Sequence, residues 1–277
     1  MRPLFACALT LALVTPARLA AAQDEPDSVG GFPYRAFAVN ERIANWILAY
    51  DRVAWITSDS VMAAPPALRD GLGGEWFCLE QADTWHAVYG RYSADSQRYR
   101  IVFHYQGGAT SPFVSSKAPL DTLELIAFAR ALSQARAAFP DTLRATNIRF
   151  NQYVRRLPDR SIEVWFLPAQ QTNGLIVWGA ELRYIYASDG GARLTSTVTG
   201  SALRGLYPDT TRTVDINERT RDIPSVGAIF VLLAYKHDFQ KIYVWTSRFL
   251  TTLVRGDDGQ YVWINAVRDS TARKPPN

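Results

Sequence analysis

Cysteine is nearly absent: Cys7 and Cys78 are the only two in 277 residues. Cys7 lies inside an N-terminal apolar run that reads as an export signal. Cleavage would leave Cys78 alone, and one thiol cannot form an intrachain disulfide in an oxidising compartment. Stability must then come from a hydrophobic core, which the roughly 255 residues after the signal are enough to bury. Long hydrophobic runs are missing too. Beyond the N-terminus the longest is Val226–Tyr235, too short to cross a bilayer. Neither sign of charge dominates, with 30 Lys and Arg against 26 Asp and Glu. Loss of Arg2 and Arg18 with the signal brings the balance to about +2, and no basic block forms a phosphate-tracking stripe, so no nucleic-acid partner is expected. The chain also has no G-x-S-x-G elbow, H-E-x-x-H, phosphate loop, G-x-G-x-x-G or Cys pair at zinc spacing. Nucleotide, serine-esterase and common metal chemistries lose their usual signatures, and no cofactor is expected.

What is present begins with the leader. Residues 1–22 read as a secretory signal peptide: Met1 and Arg2, an apolar run from Leu4 to Val14, then Ala20-Ala21-Ala22 before Gln23. Cys7 sits within the run rather than at its end, so no lipid anchor is expected, and no transmembrane segment remains after cleavage. The expected location is periplasmic or secreted, and the expected partner is an envelope or secreted component. The absence of any Asn-x-Ser/Thr sequon fits a bacterial source.

Residues 23–37 are polar and rich in Gly, Pro and Asp and read as a flexible lead-in; 268–277 read as a flexible tail. Between them, 38–267 is expected to form a single α+β domain, a mostly antiparallel β-sheet packed by two or three helices. Asn40 can cap a helix near 41–57, where Ile43, Trp46, Ile47 and Tyr50 share one face. Asp121–Phe139 has a carboxylate in its first turn and Pro140 at its end, and Ser225 caps an apolar helix from Val226. Period-two alternation places strands at 76–79, 85–92 and 99–105, then near 146–154, 161–167, 174–187, 193–199, 241–249 and 261–264. A helix followed by strands occurs twice, at 41–105 and 121–199, but the residue identity between the two is too thin to define a repeat.

Candidate chemistry is sparse. With a hairpin loop centred on Asp95, His86 lies directly opposite His104, and Glu75, Glu80 or Asp83 could add a carboxylate for a metal site or an acid–base pair. A one-residue shift of register would separate the imidazoles. Cys78, flanked by Phe77 and Leu79, reads as a buried structural thiol rather than a nucleophile activated by His86. His237 suits a helix C-terminus, and Asp257-Asp258-Gly259 a hairpin turn rather than a calcium loop. Six of the eight tryptophans fall in expected strands. Trp85, Trp165 and Trp178 are candidates for an exposed aromatic binding face, against the plainer alternative of core packing. The function expected from these features is a non-enzymatic, exported binding or envelope-associated module with an aromatic-rich sheet. The alternative is an exported hydrolase built on His86 and His104. N-terminal sequencing of the exported product is expected to start at Gln23, and a product retaining Met1 would refute the leader.

Overall fold

The computed structural model describes residues 31–108, 111–199 and 202–268. The expected signal peptide, residues 23–30 of the lead-in and residues 269–277 of the tail lie outside the described residues. Residues 31–37 are not a loose lead-in. Helix α1 runs Tyr34–Ala63, starting well before the expected position. Its early start follows from tertiary packing: Phe32 and Phe37 are buried, Phe32 edge-on to Phe249 and Phe37 edge-on to Trp263. Asn40 is therefore inside the helix and not its cap, and its Nδ2 donates to the Pro224 carbonyl at 2.9 Å. The β-branched Thr57 does not end the helix: it is fully buried, its hydroxyl donating back to the Val53 carbonyl at 2.7 Å and meeting the Tyr89 hydroxyl at 2.8 Å, so tertiary packing overrides its low helix propensity. Pro65 and Pro66, the latter opening the single turn α2 (Pro66–Arg69), follow its end.

Strands β1 (Trp76–Gln81), β2 (Thr84–Ser93), β3 (Arg98–Gly107) and β4 (Val114–Ser115) form an antiparallel meander. Helix α3 (Thr122–Ala137) follows, capped by Asp121, whose side chain accepts from the Leu123 and Glu124 amides. After the short α4 (Asp141–Arg144) come β5 (Phe150–Arg156), β6 (Ile162–Pro168), β8 (Glu181–Tyr186) and β9 (Arg193–Thr199), a second antiparallel sheet in that order. The strand expected at 174–187 is broken at Gly179 and Ala180, both at positive φ. Its first part, β7 (Ile176–Trp178), leaves the sheet to pair with β10 (Arg204–Leu206). Finally β11 (Asp209–Glu218), α5 (Val226–Ala234) and β12 (Phe239–Thr246) make a parallel crossover. Strands β13 (Phe249–Arg255) and β14 (Tyr261–Val267) then complete a third sheet by antiparallel pairing. Sheets are thus mostly antiparallel within a mixed α+β fold.

The first two sheets meet edge to edge at β1 and β5. Gln152, 3% exposed, bridges them: its Nε2 donates to the Trp76 carbonyl at 2.8 Å and its Oε1 accepts from Arg136 Nε at 2.9 Å. Helix α3 covers one side of this seam, with Phe128 against Phe77 of β1, and Phe139, two residues past its end, packs against Phe166 of β6. Gly190 lets the β8–β9 turn approach α3 closely, since a Cβ there would sit 2.1 Å from the Ala127 carbonyl. Helix α1 covers the other side. Its Tyr50, fully buried, packs against Trp76 and Trp85 of the first sheet and Tyr153 of the second. Replacing Gln152 with Leu removes the donor to the Gly74 and Trp76 carbonyls and the acceptor of Arg136 Nε at the seam. It is expected to cost about 3 kcal/mol in urea unfolding, whereas a loss below about 0.5 kcal/mol would show that the seam does not depend on this bridge.

Candidate functional site

The two histidines do share a face, but not in the expected register. His86 pairs with Gln106, and His104 with Val88, so the imidazoles sit diagonally across β2 and β3. Near the turn the register is odd: Ser93 pairs with Arg98 and Gly90 with Ile101. A bulge between Tyr89 and Gly90 inserts Val102 and restores the parity. Without that extra residue His104 would point to the opposite side. The bulge also splits the expected aromatic stripe. Phe103 keeps to the α1 side with Tyr89, whereas Tyr99 packs on Phe77 on the α3 side.

His86 Nδ1 lies 3.0 Å from His104 Nε2, and each residue is 7% exposed. One ring donates its N–H to the lone pair of the other. Burial holds both imidazoles below their ordinary protonation range, and the charge of His86 adds to the effect on His104. The pair therefore favours its uncharged form. The carboxylates named from sequence are not brought to it. Glu75 lies four residues along β1 from Leu79, the partner of His86, which is about 13 Å of strand. Its carboxylate instead faces Arg136 at 4.0 Å and accepts from the Tyr92 amide. Asp83 is exposed in the β1–β2 turn, and Glu80 is exposed and paired with Trp85 on the other face. Among the described residues no group of three His, Cys, Asp or Glu side chains is placed to hold a metal ion.

Cys78 is buried and faces α1, across the pleat from His86, so the imidazole cannot activate it. Burial pushes its thiol well above the usual range. Trp85, Trp165 and Trp178 are 8%, 4% and 5% exposed. They belong to the core and form no binding face, because both sides of the strands that carry them are covered. The widely exposed indole is Trp55, at 65%, on α1 rather than on a strand. His237 is exposed, three residues beyond α5, with its Nδ1 3.3 Å from the Tyr261 hydroxyl. Asp258 and Gly259 form the β13–β14 turn.

The feature best built for a ligand lies elsewhere, where α1, β5 and the end of α5 converge. Asp51, next to the buried Tyr50, accepts hydrogen bonds from Asn151 Nδ2 and the Tyr153 hydroxyl, both at 2.9 Å and both on Oδ1. Asn151 and Tyr153 project together because they are two apart on β5. Asp51 Oδ2 takes part in no hydrogen bond or ion pair among the described residues and is not sealed from solvent. Burial raises the Asp51 carboxyl above its ordinary value, and the two neutral donors offset this only in part. The carboxylate stands in a cleft of about 580 Å³ whose walls include Trp55, Trp76, Phe150, Phe230 and Tyr235, with Arg52 and Arg149 also lining it. A second lobe of about 200 Å³ adjoins through Asp51, Trp55, Ser58, Trp76 and Asn151 and reaches Tyr89. No family model, curated protein or solved structure matches this chain significantly.

A second carboxylate cluster has no signature in the sequence. Glu181 and Glu218, 2% and 5% exposed, meet at the N-terminus of α5. The Ser225 hydroxyl donates to Glu181, and its amide donates to Glu218 at 2.7 Å. Gly227 is required there, since a Cβ would stand 2.5 Å from the Glu181 carboxylate. Desolvation dominates at Glu181 and pushes it up to about 7, with Glu218 adding repulsion while the Ser225 hydrogen bond pulls it down. A carboxyl raised on folding favours the native state below its unfolded value, near 4.5, and loses that advantage as pH rises through about 7. Glu181→Gln, which has no proton to lose, is therefore expected to gain on the wild type by about 3 kcal/mol between pH 4.5 and 8.5. Urea unfolding at the two pH values measures this, and a constant difference between the proteins would refute the assignment.

Proposed function

We propose that this is a non-enzymatic binding protein that holds a small polar molecule in the Asp51 cleft, and that it works after export, as its N-terminus suggests. The observation that carries this reading is the free Oδ2 of Asp51 at a cleft of ligand size, held by Asn151 and Tyr153 on a rigid helix–strand junction. Site groups fixed on helix and strand need little reordering on binding, which lowers its entropic cost. Aromatic walls with a few convergent polar groups are the usual composition of such a site. This reading keeps the binding role expected from sequence and moves it from a sheet face to a junction. The hydrolase alternative rests on the contact between His86 and His104, and among the described residues no carboxylate stands beside the pair to orient either ring.

Thermal unfolding against a library of small polar compounds tests the reading. A compound at 100 times its Kd adds about 2.7 kcal/mol, which raises the Tm by roughly 5–10 °C for a domain of this size. Ser58 lines both lobes, and Ser58→Trp should fill them and abolish the shift. A library with no compound that stabilises the wild type but not Ser58→Trp would sink the proposal.

A further inference from the structure

The charges around the cleft narrow the class of ligand, an argument that rests on the cleft being the binding site. Among the described residues, the fully buried carboxylates meet a cation or a helix N-terminus. Glu163, fully buried, takes Arg155 and Arg183 at 2.6 Å each, and Glu124 takes Arg156. Glu181 and Glu218 sit at the start of α5. Asp51 differs, for its two partners are neutral donors and no cation lies within ion-pair distance among the described residues. A neutral ligand would desolvate this carboxylate further without neutralising it, whereas a cationic one would neutralise it as it covers it. The surrounding indole, phenyl and phenol rings also favour a cation, since their faces carry negative charge density. Arg52 and Arg149 line the same cleft, and the described residues hold no ion pair for either. They would repel a simple cation but attract an anionic group joined to it.

We propose that the ligand is a small zwitterion of the amino-acid type, its ammonium on Asp51 Oδ2, its carboxylate toward Arg52 and Arg149, and an apolar side chain against Trp76, Phe150 and Phe230. The carboxylate of Asp51 provides the charge, and the aromatic wall excludes water from the ion pair. Ligand-to-protein matching of this kind requires both charged groups on the ligand.

Isothermal titration calorimetry with phenylalanine, leucine and methionine, their N-acetyl and amide derivatives, and glucose tests the assignment. At least one free amino acid should bind, and acetylation of its nitrogen should weaken binding by at least about 30-fold. The amide, which lacks the carboxylate, should bind more weakly than the parent. Asp51→Asn keeps an oxygen to accept from Asn151 and Tyr153, so it should fold like the wild type and lose the amino acid to a similar degree. Equal binding of the N-acetyl form, unchanged binding by Asp51→Asn, or no binding by any free amino acid would overturn the zwitterion. If glucose or another compound binds, loses binding in Ser58→Trp and ignores Asp51→Asn, the cleft stands as the site and the zwitterion falls.

Discussion

Helix α1 has to satisfy three sheets at once. Its first turns receive Phe249 and Trp263 of the third sheet around Phe32 and Phe37, and Trp263 Nε1 donates to Glu41 at 2.6 Å. Its middle lays Tyr50 across the seam between the other two, and its later part offers Thr57 to the Tyr89 hydroxyl at 2.8 Å. With Cys78 as the free thiol among the described residues, these contacts hold the assembly without a covalent staple. Each fully buried large apolar side chain contributes about 1.5–3 kcal/mol, so the aromatic contacts of this helix outweigh any single hydrogen bond along it. The site inherits its position from the same constraint. Asp51 reaches β5 because Tyr50, one residue earlier, is fixed in the seam, and the cleft is the space left where helix, strand edge and α5 cannot all close-pack.

Buried charge is treated in two distinct ways in this fold. Glu163 is neutralised by a pair of guanidinium groups from the strands on either side, a geometry that two rigid forks satisfy well. Glu181 and Glu218 are compensated by backbone N–H groups and by the positive end of a helix dipole, which stabilises a nearby anion by only about 0.3–2 kcal/mol. That is too little to offset the desolvation of a buried carboxylate, to which Glu218 adds repulsion, and Glu181 holds its proton to about pH 7. Asp51 has neither arrangement. A carboxylate kept half-buried with neutral donors costs stability unless something outside the fold offsets it, and this separates it from the structural acids of the core.

Much of the architecture was legible from residue patterns. Ser225 reads as a cap and does cap α5, whereas Asp121, which reads as the first residue of a helix, is the N-cap of α3; Pro158-Asp159 and Asp189-Gly190-Gly191 supply turns between strands. The departures have local causes. Helix α1 starts early because Phe32 and Phe37 find partners more than 200 residues away, which no local window contains. Val102 became a bulge in a run whose alternation reads as an unbroken strand, and the break at Gly179–Ala180 turned one expected strand into two in different sheets. The site was the least legible feature. Asp51, Asn151 and Tyr153 are unremarkable singly, and about a hundred residues separate the acid from its partners. The tryptophans were conspicuous, yet in a two-sided sheet an aromatic strand residue is buried whichever way it points.

The position of the cleft also bears on how binding and stability interact. Its walls come from α1, Trp76 of β1, the edge strand β5, the end of β6, and α5 with the residue that follows it, so a molecule seated there touches both sheets of the seam and the crossover helix of the third four-stranded sheet. The seam between the first two sheets is held by side chains and not by a strand ladder, since β1 and β5 belong to separate sheets. Side-chain contacts of this kind separate more readily than ladders, because each can break without disturbing its neighbours. Ligand binding across such a seam is worth most to the least stable junction, since opening it would release the ligand along with the contacts. The His86–His104 pair, by contrast, lies within one hairpin of one sheet, where its hydrogen bond reinforces a ladder that is already continuous. A ligand in the proposed cleft would act on the cooperativity of this fold at the junction and not at the hairpin, and it is at the junction that Asp51 stands without a countercharge among the described residues.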